Sequence, residues 1–334
     1  MNRLGLASTL IIVALVFVFA LTSVTERLAT PDMRFVITPQ PVAELVHSAH
    51  NSGMFSARGL RVAIVNANTP VEAEGLIERG EVDGGFFPYS TALQLVTRSV
   101  NTRVVANVDY SAGADGIVAT TAVQSVVDLR GRRVAVSQEG FGQFLLASAL
   151  SHYGLTVTDV VTVPLEPLQA VQAYLRGNVE AIVATEPFLN YTATQPGSHL
   201  IYSSSAAPGL MPDVIIFRSE YLNGHRTEVA QFLNIWFDLV EQLNGNELRR
   251  REHLSIVAIA LRQSLAEIER MFHGIQVLDF ADNAVAFTRG TDSTSLYGSG
   301  FNLLALLYPA SEAERSLLIE AILDPSFVRS GLNP

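Results

Sequence analysis

The sequence predicts an α/β chain of two successive blocks, each a mainly parallel sheet flanked by helices, with a helical C-terminal part. Three observations carry this prediction. Short β-branched, apolar runs alternate with helix-period segments from Met33 onward, the spacing of strand–helix–strand units. The alternation is interrupted at Asp109-Tyr110-Ser111-Ala112-Gly113-Ala114-Asp115, a small, polar, acid-bearing junction, and then resumes. From Thr227 the apolar residues recur at helical rather than strand spacing.

The first element is the stretch Leu4 to Val24, which has no charged residue, with Arg3 before it and Glu26-Arg27 after it. About 20 apolar residues suffice to cross a bilayer, so residues 1–31 read as an anchor or signal peptide plus linker. Arg3 is the one side-chain charge ahead of the run, which puts the N-terminus in the cytoplasm and the body outside. The pairs Ala20/Thr22 and Leu21/Ser23 fit a small-residue cleavage site poorly, which favours an uncleaved anchor.

Met33–Ile37 reads as the first strand, followed by Thr38-Pro39-Gln40-Pro41 and a helix to about His50. Leu60–Val65 is the second strand, Val71–Glu78 a helix stopped by Gly80, and Asp83–Phe87 a short third strand. Pro88-Tyr89-Ser90-Thr91 leads into the next helix, with Ser90 or Thr91 suited to its N-cap. After a strand at Arg103–Val108 and the junction come strands at 116–119 and 133–136. The second ends in Gln138-Glu139-Gly140-Phe141-Gly142 and opens into a helix that places Phe141, Phe144, Leu145, Ala149 and Tyr153 on one side. Strand Val160–Val163, helix Leu168–Arg176 and strand Ala181–Ala184 follow, the last ending in Glu186-Pro187, where Pro187 suits a first helical turn. Val214–Phe217 is a return strand, and Val229, Phe232, Leu233, Trp236, Val240 and Leu243 form one apolar stripe of core.

The chain has 334 residues, 49% hydrophobic and 16% charged, enough for two domains with cores of their own. A net charge of −10 without a basic stripe argues against a nucleic-acid partner, and Arg130, Arg132 and Arg133 read as a solvated turn. There is no cysteine, which excludes disulfides, thiolate metal sites, thiol nucleophiles and a lipid-modified cysteine anchor. The seven histidines show no HExxH spacing; His47 and His50 are the pair placed to share a metal on one helix, and no metal or cofactor is expected.

Six phrases carry a resemblance: DYSAGADGIVA (109–119), DLRGRRVAV (128–136), the acid-Gly turn into FLLASAL (144–150), AYLRGNVEAIVATEP (173–187), IYSSSAAPGLMPDVIIFR (201–218) and, weaker, GEVDGG (80–85). In this order, over roughly residues 33 to 310, the chain resembles the periplasmic solute-binding proteins of ABC importers, in the nitrate/sulfonate/taurine and thiamine-precursor group. The resemblance implies a two-lobed type II periplasmic-binding-protein fold, a ligand between the lobes, no catalysis, an ABC permease as partner and a monomeric chain. Residues 32–109 and 214–334 would form a discontinuous first lobe and 110–213 an inserted second one, outside the cytoplasm and anchored to the inner membrane by residues 4–24. An enzyme on the same fold and an anchored sensory module are the alternatives; the cysteine-free, membrane-crossing sequence speaks against the first.

Ligands in such folds sit at strand C-terminal ends and between lobes. The candidates are Gln40; Tyr89, Ser90 and Thr91; Asp109, Tyr110 and Ser111; Glu139, Gly140, Phe141 and Gly142; Glu186; and Asp213. Asp115 reads equally as a brace for the crossing. The loops 38–41 and 88–91 depart from the aromatic and acidic loops common in the resembled group. Helix N-termini with hydroxyls favour an oxyanion such as a sulfonate or nitrate, whereas Asp109, Glu139, Glu186 and Asp213 favour an amine or a donor-rich heterocycle such as a pyrimidine. Both remain open at the level of sequence.

Overall fold

A computed structural model of the chain describes residues 30–137, 142–308 and 310–332. The segment 4–24 and the candidates Glu139, Gly140 and Phe141 lie outside the described residues. Among the described residues, no helix is long and apolar enough to cross a membrane.

Eleven strands build two sheets among these residues. In chain order they are β1 (Met33–Ile37), β2 (Val62–Asn66), β3 (Gly84–Pro88), β4 (Thr102–Ser111), β5 (Asp115–Thr120), β6 (Arg133–Val136), β7 (Val161–Pro164), β8 (Ala181–Thr185), β9 (Ser198–Ser203), β10 (Pro212–Arg218) and β11 (Ile275–Val277). The first sheet has the order β11-β4-β10-β3-β1-β2 and the second β7-β6-β8-β5-β9. The fold is thus the two-lobed α/β architecture, with helices on both faces of each sheet.

The sheets are mixed rather than mainly parallel, because the chain crosses between them at one end. β1 pairs in parallel with β2 and β3, but β10 enters the first sheet where β4 leaves it and so runs antiparallel to β3 and β4. In the second sheet β6 runs parallel to β7 and β8, and the entering strand β5 runs antiparallel to β8 and β9. Strand β9 is an addition to the sequence reading, as is β11 within the part read as helical.

Strand alternation divides the apolar residues between two layers. Phe86 points into a cluster with Phe35, Phe217, Phe232 and Trp236, and Phe87 into the opposite one with Val36, Leu93 and Ile322. Phe35 meets Phe86 edge-on at 5.5 Å and Phe86 meets Trp236 at 5.1 Å between ring centres. The close approach of β1 explains Gly85, where a Cβ would lie 2.7 Å from the Val36 carbonyl oxygen. Beside it, Asp83 accepts hydrogen bonds at 2.7 Å from both the Arg34 amide and its guanidinium. The stripe Val229, Phe232, Leu233, Trp236, Val240 and Leu243 is buried along the helix Arg226–Gly245. Tyr153, by contrast, is 45% exposed beyond the end of the helix Gly142–His152, whose core face is completed by Leu146 and Leu150.

The crossing between sheets is tighter than the junction read from sequence. Asp109, Tyr110 and Ser111 continue β4 because β11 pairs with them, Val277 opposite Asp109 and Ile275 opposite Ser111. Only Ala112–Ala114 lie outside strands, with Gly113 at φ +130°.

Candidate ligand-binding cleft

A cleft of about 490 Å³ opens between the two sheets at the C-terminal ends of β1, β4 and β8 and the start of β10. Its polar wall is Gln40, Asp109, Ser111, Asp115, Thr185, Glu186, Asp213 and Gln263; its apolar wall includes Val42, Met211, Leu261, Met271 and Ile275. Among the described residues, no arginine or histidine lines it.

The strand register produces the central feature. Asp213 on β10 lies directly opposite Asp109 on β4, with a bulge between Asp213 and Val214. Residues so paired have Cβ atoms about 4.5–5.5 Å apart, so two carboxyls face one another on one wall. Asp109 is 6% exposed, and Oδ1 of Asp213 is shut off from solvent without a hydrogen-bond partner. Burial, reinforced by the charge of Asp213, raises the Asp109 carboxyl well above its ordinary range. Burial, reinforced by Asp115, pushes Asp213 up to about 7.

Asp115 starts β5, where Thr185 Oγ1 donates to its Oδ1. Burial raises its carboxyl against the opposing hydrogen bonds from Ser111 and Thr185. The hydroxyl of Ser204 ties the crossing together: it accepts from Gly113 N at 2.8 Å and lies 2.8 Å from Ser111 Oγ. The Gly274 carbonyl oxygen braces the same turn, accepting from Ala112 N at 2.8 Å and Ala114 N at 3.0 Å. Glu186 donates its amide to the Ala114 carbonyl oxygen at 2.9 Å, and its carboxylate accepts from Asn190 N at 3.3 Å. It therefore caps the helix Phe188–Ala193 while lining the cleft, and burial raises its carboxyl against the pull of Asn190 and the exposed Arg270. Pro187 precedes that helix rather than opening it, and the Glu186–Pro187 bond is cis.

The cleft thus brings together Gln40, Asp109, Ser111, Glu186 and Asp213 from the sequence candidates. Gly142 lines a neighbouring hollow of about 330 Å³ that shares Thr185 and Glu186 with it. Tyr110 faces away from the cleft, where Asp282 acts on its hydroxyl. Tyr89, Ser90 and Thr91 are not among the lining residues. The helix after β3 begins at Tyr89, which turns the phenol into the core against Gly300, where a Cβ would lie 2.7 Å from its oxygen. Pro88 is the N-cap, with no side-chain capping bond, so Ser90 and Thr91 do not cap.

Sequence reasoning left out Thr185, Gln263 and the apolar wall from 261 to 275. Gln263 sits between the helices Glu247–Leu261 and Leu265–His273, after Arg262 in a left-handed conformation. The capping box of Ser264 and Glu267 is a readable signal for that break. His47 bonds Glu44 at 2.9 Å, and no group of three metal-ligating side chains occurs among the described residues.

Such a wall is rich in carboxyl and amide oxygens. Among the described residues, the helix N-terminus on the lining, that of Phe188–Ala193, is already occupied by the Glu186 carboxylate.

A model of the family described as NMT1/THI5 like matches residues 41–236. A Bacillus subtilis protein named for aliphatic sulfonates binding is 27% identical over 147 residues, 43% of this chain and 42% of that protein. The 4-amino-5-hydroxymethyl-2-methylpyrimidine phosphate synthase of Aspergillus parasiticus is 23% identical over 143 residues, 42% of this chain and 41% of the synthase. The chain spans about two fifths of the length of each of these relatives. The periplasmic aliphatic sulphonate binding protein SsuA from Escherichia coli superposes with a TM-score of 0.68 at 15% identity, covering 86% of this chain and 97% of SsuA. At that identity the likeness speaks for the fold.

Proposed function

The chain belongs to the NMT1/THI5-like family, and from that premise we propose that it is an extracytoplasmic solute-binding protein that captures a small polar organic solute and delivers it to an ABC permease. The observation that carries the proposal is the cleft itself: about 490 Å³, set where two sheets meet and lined by acceptors and apolar side chains. Residues 32–109 with 214–334, and residues 110–213, act as two bodies that close on the solute about the crossing at Ala112–Ala114 and the return into β10. Residues 4–24 direct the body across the inner membrane and hold it there.

A ligand that binds only the folded protein stabilises it by about 2.7 kcal/mol at a hundredfold excess over Kd. A thermal-shift screen of the purified full chain against amines, sulfonates, nitrate and pyrimidines is expected to give a hit that raises Tm by several degrees. A broad screen without a hit, together with turnover of a small substrate, overturns the binding-protein reading in favour of an enzyme.

A further inference from the structure

Two facing carboxyls, Asp109 at 6% exposure and Asp213 with its Oδ1 shut off from solvent, with no cation beside them among the described residues, pose an electrostatic problem for the unliganded protein. Asp109 and Asp213 occupy opposite register positions on β4 and β10. The groups around them do not neutralise them. Strand β5 contributes Asp115, the end of β8 contributes Thr185 and Glu186, strand β11 contributes Ile275 and Val277, and β3 contributes Pro88. Gln40 and Gln263 are uncharged, Arg270 is exposed and acts on Glu186, and Tyr110 and Asp282 lie on the other face of β4. Like charges this close in a low-dielectric wall do not both ionise, so the pair retains a proton.

Resting on the reading of this cleft as the solute site, we propose that the Asp109–Asp213 pair holds one proton when empty and exchanges it for an organic cation with at least two N–H donors: a primary amine, an amidine or a guanidine. The balance is simple. The empty pair carries two carboxyls and one proton, a charge of −1. The occupied pair carries two carboxylates and a monocation, again −1, and the proton passes to the buffer. A neutral solute leaves the proton in place, and an oxyanion adds charge to a wall that already sheds it. The unpartnered Oδ1 of Asp213 supplies an acceptor for one N–H, Asp109 takes the second, and Val42, Met211, Met271 and Ile275 receive the hydrocarbon body. The direction of the carboxyl shifts agrees, since burial raises both groups toward neutrality.

Isothermal titration of the purified full chain tests this, with benzamidine, butylamine, choline and ethanesulfonate as probes, in phosphate and in Tris at matched pH. Benzamidine or butylamine is expected to bind with release of about one proton, read from the difference in heat between buffers, and Kd should fall by up to about tenfold per pH unit between pH 5.5 and 7 and level off above. Choline, a cation without N–H donors, is expected to bind at least about tenfold more weakly, and ethanesulfonate to give no heat. The double variant Asp109→Asn/Asp213→Asn should remove the buffer dependence together with at least a tenfold share of the affinity, whereas Asp109→Asn alone leaves the exchange to Asp213. Cation binding with equal heats in both buffers overturns the exchange. Preference for ethanesulfonate overturns the cation and leaves the solute-binding function standing. Failure of all four probes overturns the inference, and only an empty thermal-shift screen beside it reaches the function as well.

Discussion

Replacing Asp213 by asparagine should stabilise the empty protein, and by more at pH 8 than at pH 5. Burial and the charge of Asp115 raise this carboxyl from 3.8 to about 7. The unfolded chain gives up the proton near the ordinary value and the folded chain near 7, so the native state binds more protons throughout that window. Stability therefore falls as pH rises across it. At about 1.4 kcal/mol per unit, the ionisable group costs the fold about 2 kcal/mol at pH 5 and up to about 4 kcal/mol at pH 8. Asparagine keeps the shape and mimics the protonated acid, so it should recover those amounts. Urea unfolding followed by the fluorescence of Trp236, the chain's one tryptophan and 2% exposed in the core beside β3, measures both values. A gain of equal size at the two pH values, or a loss at pH 8, would refute the idea that this carboxyl is held without a countercharge.

Gly274→Ala would put a Cβ 2.6 Å from the Ala114 nitrogen and should lower stability by about 1–3 kcal/mol, visible as a drop in Tm. Ser204→Ala leaves the Gly113 amide and the Ser111 hydroxyl without their shared partner and should cost about 1–3 kcal/mol in urea unfolding. Glu186→Gln keeps an acceptor for the Asn190 amide but removes a charge from the cleft. A cationic solute should lose roughly 2 kcal/mol of binding by calorimetry, whereas a sulfonate should bind as well or better.

Much of the fold is legible in the sequence because short-range signals carry it. The β-branched runs at 103–108 and 133–136 can hardly be anything but buried strands, and the acids at 109 and 213 mark where two interior strands reach the cleft end of the sheet. What joins those acids is register between strands far apart in the chain, and no local pattern encodes that distance. Strand β11 escapes notice because three residues, Ile275–Val277, show no period, yet it lengthens β4 and places Asp109 on the cleft wall. Tyr89 misleads for the opposite reason. A polar-looking Tyr-Ser-Thr after a strand suggests a ligand loop, but helix formation begins at the tyrosine and commits its ring to the core. Gln263 is reached only through tertiary packing, since the helices on either side of it could lean toward any face of the first lobe.

A crystal structure of the full chain soaked with a solute that scores in the thermal-shift screen tests the central claim most directly. Electron density for the solute is expected between the two sheets, within hydrogen-bond distance of Asp109 and Asp213 and close to Glu186. Density outside this cleft, or an empty cleft at saturating solute, would contradict it.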